Sequence, residues 1–446
     1  MYKIKNCFMY LNIIIVITVF TACGPKSLAE TKQDKDLTMF VTSDIHYLDE
    51  NLYDNGEAFQ TILASGDGKQ LNYIGEIVDA FANDVDKEKP DILLISGDLT
   101  NNGEKGSHLK LAEKLKKIEK SSGTDVFVIP GNHDIQNPWA RGFKDSEQYI
   151  TDTIDSDDFE SIYEDFGYKE SISKDKSTLS YLAAPSDHLW LLMLDTNEYE
   201  YNDAYGMPVT NGVIGSKTFE WIKQCSKLAD ENNAEIVTIM HHNLFNHSDV
   251  LYYGFTLDNS NEVLEVFEEC GLNLILSGHI HIQDIKSCGN SINTIYDIAS
   301  SSLGVYPVQY GVIKYVPSKG FDYSTSRVDV EGWAKEAGIS DENIISFEEY
   351  SRNYFADISY KKTYDELTAV GTYTDEEKVQ MAKTMSLLNI NYFGGTASSV
   401  SNEIFNTQGY KLWVAATEPE FLKEYVLNMI DDSNINNNQV QITTFK

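Results

Sequence analysis

Five short apolar runs, each stopping at a residue able to bind a cation or move a proton, constrain the fold of this 446-residue chain more than any other feature. Residues 37–43 run into Asp44, 92–96 into Gly97-Asp98, 126–130 into Gly131-Asn132, 236–240 into His241 and 272–277 into Gly278-His279. Runs of this length rich in Val, Ile and Leu predict buried strands, and between them apolar residues recur with helical period over 73–85, 105–118, 218–229 and 262–270. Ser216 is placed to cap the third of these helices. Alternating strands and helices predict an α/β fold, in which sites form beyond the carboxyl ends of the strands. A hairpin over 179–183 and 189–194, with further alternating runs at 292–298, 310–316 and 323–330, predicts a second sheet packed on the first. The connection 48–70, with Gly56, Gly66 and Gly68, reads as a long loop near the site.

The residues closing these runs form an ordered series: Asp44-Ile45-His46, Gly97-Asp98, Gly131-Asn132-His133-Asp134, His241-His242 and Gly278-His279-Ile280-His281. A lone Gly-Asp or Gly-Asn is an ordinary turn; five such elements in this order are not. The series resembles the signature of the calcineurin-like metallophosphoesterases, and within them the bacterial cyclic-nucleotide phosphodiesterase type in a lipoprotein setting. That resemblance implies a four-layer α/β/β/α sandwich of two mixed sheets over roughly residues 37–330, with a dinuclear metal centre at the rim.

Phosphate-ester hydrolysis needs a nucleophile at neutral pH, charge neutralisation and an acid for the leaving alkoxide. Two ions about 3.5–4 Å apart supply the first two. Imidazoles, carboxylates and one amide oxygen suit Mn, Fe or Zn better than Ca or Mg. Carried over from the family, Asp44, His46 and His281 would hold one ion, and Asn132, His241 and His279 the other. Asp98 would bridge them beside a bridging hydroxide, which attacks the ester. His133 would protonate the leaving group, with Asp134 orienting or tuning it. His241 is preferred to His242 because it directly follows its strand; Asn243 stands where many relatives have Pro. Asp98 is followed by Leu99-Thr100-Asn101, without the Tyr that purple acid phosphatases carry, and Asp134-Ile135 departs from the pattern of secreted 5′-nucleotidases. His108, His188 and His247 belong to no motif; His247, just past the ligand loop, is the best of them for a substrate contact.

Residues 1–22 read as a signal peptide: Lys3 and Lys5 precede an apolar run from Cys7 to Phe20 too short for a comfortable membrane span. Phe20-Thr21-Ala22-Cys23 resembles a lipoprotein processing site, so Cys23 is the expected lipidation site, with residues 23–36 as a flexible tether. The expected location is the cell membrane, lipid-anchored and facing outside the cytoplasm. A formal charge of −34 argues against a nucleic-acid partner, which would need clustered Lys and Arg. Cys225, Cys270 and Cys288 form no disulfide framework, and Cys225 and Cys270 read as small buried residues in helices.

Residues 331–446 switch to helical signals. Thr374-Asp-Glu-Glu377 is a capping box ahead of Val379, Ala382, Met385, Leu388 and Tyr392. Thr417-Glu-Pro-Glu420, with Pro419 in the first turn, precedes Phe421, Leu422, Tyr425, Val426 and Met429. This predicts a helical subdomain that packs on the sandwich or caps its rim. The functional expectation is a dinuclear-metal phosphohydrolase, first a phosphodiesterase on cyclic nucleotides or other small diesters. A phosphomonoesterase is the alternative, and a non-catalytic surface-binding lipoprotein the second.

Overall fold

The computed structural model describes residues 36–290, 293–317, 319–430 and 436–443. The expected signal peptide, Cys23 and all of the tether except Asp36 lie outside them. Strands β1 (Leu37–Thr42), β2 (Ile92–Ser96) and β3 (Asp125–Ile129) run parallel to one another. A small hairpin, β4 (Arg141–Lys144) and β5 (Glu147–Ile150), follows. The chain then builds a second sheet from β6 (Ser173–Lys174), β7 (Tyr181–Ala183), β8 (Leu189–Leu194), β9 (Glu235–Met240), β10 (Leu274–Ser277), β11 (Asp284–Asn290) and β12 (Asn293–Ala299). It returns to the first with β13 (Gln309–Val316), β14 (Gly320–Arg327) and β15 (Gln439–Ile442). The orders are β15-β14-β13-β1-β2-β3 and β11-β12-β10-β9-β8-β7-β6, both mixed.

Period-two alternation explains the layering. In β8 and β9, Leu191, Met193, Val237 and Ile239 join Val41, Leu94 and Phe127 of the first sheet in one inner core. Their alternates Trp190, Leu192, Leu194 and Met240 face outward onto Trp221, Ile222 and Phe267 of the helices Ser216–Glu231 and Ser260–Cys270. Helices Ile74–Glu88 and Lys105–Ser122 contribute Ile77, Phe81, Leu111 and Leu115 to the core of the first sheet. Each such side chain, fully buried, contributes about 1.5–3 kcal/mol. The result is the expected α/β/β/α sandwich with a C-terminal helical region.

Several local expectations are corrected. The connection 48–70 is not a plain loop; it carries the short helix Glu50–Leu52 and the helix Glu57–Ser65, whose Phe59 and Leu63 pack against Leu48 and Phe143. Ser216 is the first helical residue rather than the cap, which is Gly215. The last expected strand of the catalytic region stops at Arg327, and Val330 opens the helix Val330–Ala337. Pro419 lies just before the helix Glu420–Ile430, lending its carbonyl to Lys423 N, and Phe421 is exposed. Beyond residue 331 the chain is not helical throughout, since β15 pairs with β14 and extends the first sheet. Cys270 is half-buried where burial was expected, while Cys225 is buried. The Thr374 capping box forms: Glu377 N donates to Thr374 Oγ1 at 3.3 Å and Thr374 N to Glu377 Oε2 at 2.9 Å.

The C-terminal helices bury Met381, Met385, Leu388, Trp413, Val426 and Met429 together with Ile280 and Ile282. Those two isoleucines flank His281, so the helical region packs directly behind the last ligand loop.

Candidate metal centre

All five ligand loops leave strand ends on one rim, and the backbone there is unusual. Asp44, His46, Asp98, His279 and His281 have φ between 49° and 71°, the left-handed region that non-glycine residues rarely adopt. Cross-loop hydrogen bonds hold them: Asp44 N donates to Gly97 O at 3.1 Å, His46 N to Asp98 O at 3.0 Å, and His279 N to Asp44 Oδ2 at 2.9 Å. Gly131 is required by close approach, since a Cβ there would sit 2.2 Å from both the amide nitrogen and Oδ1 of Asp98.

Two clusters result. Ligand atoms of Asp44, His46, Asp98 and His281 lie within 4.8 Å of one another, as do those of Asp98, His241 and His279. Asp98 is common to both, its Oδ2 lying 3.7 Å from His46 Nε2 and its Oδ1 3.4 Å from His241 Nε2. Asn132 joins the second cluster, with Oδ1 3.1 Å from His241 Nε2.

Carbonyl acceptors fix the ring tautomers, because a carbonyl can only accept. His241 Nδ1 donates to Ser96 O at 2.8 Å, leaving Nε2 as the inward lone pair. His279 Nε2 donates to Gly254 O at 2.6 Å, leaving Nδ1. His242 is turned away and held by Thr196 Oγ1 and Thr210 O at 2.7 and 3.0 Å. The preference for His241 over His242 therefore matches the direction of the rings.

The residues fit metal ions. His46 Nε2 and His281 Nε2 face each other at 3.0 Å, and Asp44 Oδ1, 3.3 Å from His281 Nε2, is buried without a hydrogen-bond partner. A cation between these atoms would satisfy all three. Burial alone would raise the Asp98 carboxyl, but His241, His133 and His46 outweigh it and hold it well below the usual range. Burial holds His279 and His133 as neutral rings, each lowered to about 4.

His133 sits at the rim, its Nδ1 donating to Asn101 O at 2.8 Å and its N–H to Asp98 Oδ1 at 2.9 Å. Among the described residues the His133 ring makes no hydrogen bond to Asp134. The Asp134 carboxylate instead accepts from Leu99 N, Thr100 N, Gly131 N and Thr100 Oγ1 at 2.8–3.0 Å, stapling the two ligand loops together. The Asp134 side chain is fully buried and three of its four donors are backbone amides, while burial and the charge of Asp98 raise it to about 7. His247, the expected candidate for a substrate contact, is instead buried between two carboxylates, its Nδ1 hydrogen-bonded to Asp284 at 2.8 Å and its Nε2 within 3.2 Å of Asp297. His108 is buried between Tyr163 and Asp134 O. Sequence reasoning missed Asn243, whose Nδ2 donates to Ser277 Oγ and Gly278 O and ties two ligand loops. Its position in place of Pro was the available signal. Thr210 and Gly254, the acceptors that orient His279, gave no signal at all.

Two stacked sheets with two ligand clusters sharing one carboxylate at their strand ends define a metal-dependent phosphoesterase with a dinuclear site. The chain belongs to the calcineurin-like phosphoesterase family, whose model matches residues 37–283. Residues 329–436 match a second model, described as the C-terminal domain of cyclic nucleotide phosphodiesterase. Among solved structures it is similar to a dimetal phosphatase from Danio rerio, 12% identical over 65% of this chain and 95% of that one, with a TM-score of 0.44. It is also similar to GAP50, the anchor in the inner membrane complex of Plasmodium, 10% identical over 66% of this chain and 85% of that one, with a TM-score of 0.36. No curated protein matches the chain.

Proposed function

We propose that this phosphoesterase is a phosphodiesterase acting on cyclic nucleotides or other small phosphodiesters. The observation that carries the reading is the pairing of the dinuclear site with a C-terminal region matching that of cyclic nucleotide phosphodiesterases. We assign Asp44, His46 and His281 to one ion, Asn132, His241 and His279 to the other, and Asp98 to both. Bound ions of this kind neutralise phosphoryl charge and make water a competent nucleophile near pH 7. The remaining work falls to the chain. Asp98 and Asp44 fix the spacing of the two clusters, and the carbonyls of Ser96 and Gly254 keep the lone pairs of His241 and His279 turned inward. His133, anchored through Nδ1, presents Nε2 to the substrate side, to bind a phosphoryl oxygen and pass a proton to the leaving alkoxide. A phosphate anion beside that ring favours its protonated form, against the effect of burial.

The helical region packed behind His281 narrows approach to the rim in this reading, favouring small diesters over folded phosphoproteins. The same reading anchors the protein through lipidated Cys23, outside the cytoplasm, on the strength of the apolar run and small residues before it. Among the described residues no helix is long and apolar enough to cross a membrane.

The test is turnover of bis(p-nitrophenyl) phosphate, p-nitrophenyl phosphate and cyclic nucleotides, with and without added Mn. Metal-dependent cleavage of the diesters ahead of the monoester is expected. Preference for the monoester would overturn the diesterase reading, and no turnover of any ester would overturn the assignment of activity.

A further inference from the structure

The segment that brings the chain back from the helix Glu57–Ser65 to the rim carries a lysine whose surroundings set it apart. Gln70 N donates to Gly304 O at 2.8 Å, and Gly304 N in turn donates to Asp44 O at 3.3 Å, so Lys69 is one residue away from a backbone bridge to a ligand loop. On its other side the segment is clamped by the C-terminal helix Phe347–Val370. Gln70 Nε2 donates to Ser351 Oγ at 2.8 Å, and the Tyr354 hydroxyl donates to Leu63 O at 3.0 Å and Lys69 O at 3.4 Å. Gly68, at φ +84°, lies so close to Phe355 that a Cβ would be 2.5 Å from its ring. The backbone of Lys69 is therefore fixed from both directions.

Lys69 is half-buried, and its ammonium forms no ion pair among the described residues. Burial disfavours its charge, which is supported by Asp98, Asp67, Asp44 and Glu104, and it acts in turn on His46 and His133. Three of those partners, Asp98, Asp44 and His46, are ligands of the metal centre, and His133 stands at its rim. When ions occupy the clusters, Asp44 and Asp98 are neutralised by them, which leaves the lysine only Asp67 and Glu104 for support and favours an anion between its ammonium and the cations. The chemistry that resolves this is a phosphoryl group.

We propose that Lys69 is a phosphate-binding residue of the site, contacting the phosphoryl oxygens of the bound ester, and that the C-terminal helix Phe347–Val370 sets its position. This rests on the phosphoesterase reading. It also gives the C-terminal region a part in substrate binding that does not require it to overhang the rim. A phosphomonoester or inorganic phosphate, carrying more charge than a diester, gains more from the lysine.

The test uses the full metal-loaded protein with inorganic phosphate as the probe, its affinity measured by calorimetry alongside metal content and the steady-state constants for bis(p-nitrophenyl) phosphate. For Lys69→Met the expected result is phosphate affinity down about tenfold to a hundredfold, the loss of one charge-assisted hydrogen bond, with metal content unchanged. KM for the diester should rise by a smaller factor. Lys69→Arg should restore most of the affinity, and Gly68→Ala, which removes no charge but displaces the segment against Phe355, should lower it. Unchanged phosphate affinity in a metal-loaded Lys69→Met protein overturns the proposal. So does loss of metal from that variant, which would make Lys69 a stabiliser of the centre. Failure here leaves ester turnover by the unaltered protein intact, whereas failure of the phosphoesterase reading removes that turnover.

Discussion

Replacing Asp134 by Asn should cost stability as well as activity. Each Asp134 oxygen accepts two hydrogen bonds: Oδ2 from Leu99 N and Gly131 N, Oδ1 from Thr100 N and Thr100 Oγ1. All are buried, and three of the four donors are backbone amides that cannot turn elsewhere. An Asn retains one oxygen for Leu99 N and Gly131 N and can turn its NH2 to the Thr100 hydroxyl, which accepts, but the buried Thr100 amide then loses its acceptor. At about 1–3 kcal/mol for a buried unsatisfied donor, the change costs roughly 1–3 kcal/mol. That is a large fraction of the ~5–15 kcal/mol by which a folded protein is typically stable. Because the staple joins the loop bearing Asp98 to the one bearing Asn132, metal content should fall as well. Urea unfolding of the Asp134→Asn protein, followed by circular dichroism and paired with metal analysis, reads both. If the variant unfolds at the unaltered midpoint, keeps its metal and loses only turnover, the staple is wrong and Asp134 acts on His133 after all.

Removing His133 should spare metal content while lowering kcat by roughly 10²- to 10⁴-fold; loss of both ions in His133→Ala would refute the division of roles. Asp98→Ala should instead lose metal and activity together, seen by elemental analysis, because one carboxylate serves both clusters. The buried His247 adds a pH signature. Burial opposes its charge, but Asp297 and Asp284 raise it from 6.5 to about 9. Its contribution, about 3 kcal/mol at full strength, is present below pH 6.5 and lost as pH rises through 9. Unfolding free energies of the unaltered protein and His247→Gln from pH 6 to 10 should converge at the alkaline end; a constant gap would contradict this. Cys23→Ser should release the protein from the membrane or leave it unprocessed, and mass spectrometry of the mature N-terminus showing an unmodified residue beyond Cys23 would remove the anchor.

The legible part of the site was the part carried by chemistry at strand ends. Apolar runs must be buried and their ends must emerge on one side, so Asp44, Asp98, Asn132, His241 and His279 were placed on one rim by period and order alone. What stayed hidden comes from segments without either. The helix Glu57–Ser65 has nine residues bounded by Gly56 and Gly66, too few turns for its apolar stripe to stand out. Asn101, Thr210 and Gly254 act through backbone carbonyls, which any residue possesses. Asp134 looked like a partner for its neighbour in sequence because a side chain's reach to distant amides is set by tertiary packing. Lys69 became visible only once the C-terminal helix was seen to grip the residues on either side of it.

The left-handed backbone at the ligands was equally hidden, yet it explains the signature's spacing. In an extended strand, residues two apart lie about 6.6 Å from each other and project in parallel, too far for a carboxylate and an imidazole to share one ion. With Asp44 and His46 both at positive φ, their Oδ1 and Nε2 atoms come to 3.9 Å. His279 and His281 use the same reversal to opposite effect, one ring reaching the His241 cluster and the other the Asp44 cluster. Each such residue costs on the order of 1–3 kcal/mol. Glycine would remove the strain but also the ligand. The strain is therefore held by the cross-loop hydrogen bonds from Asp44 N, His46 N and His279 N, two of which use Asp44 or Asp98 as acceptor. The ligands thus enforce one another's geometry before any ion arrives, and a substitution at one of them should disturb both clusters.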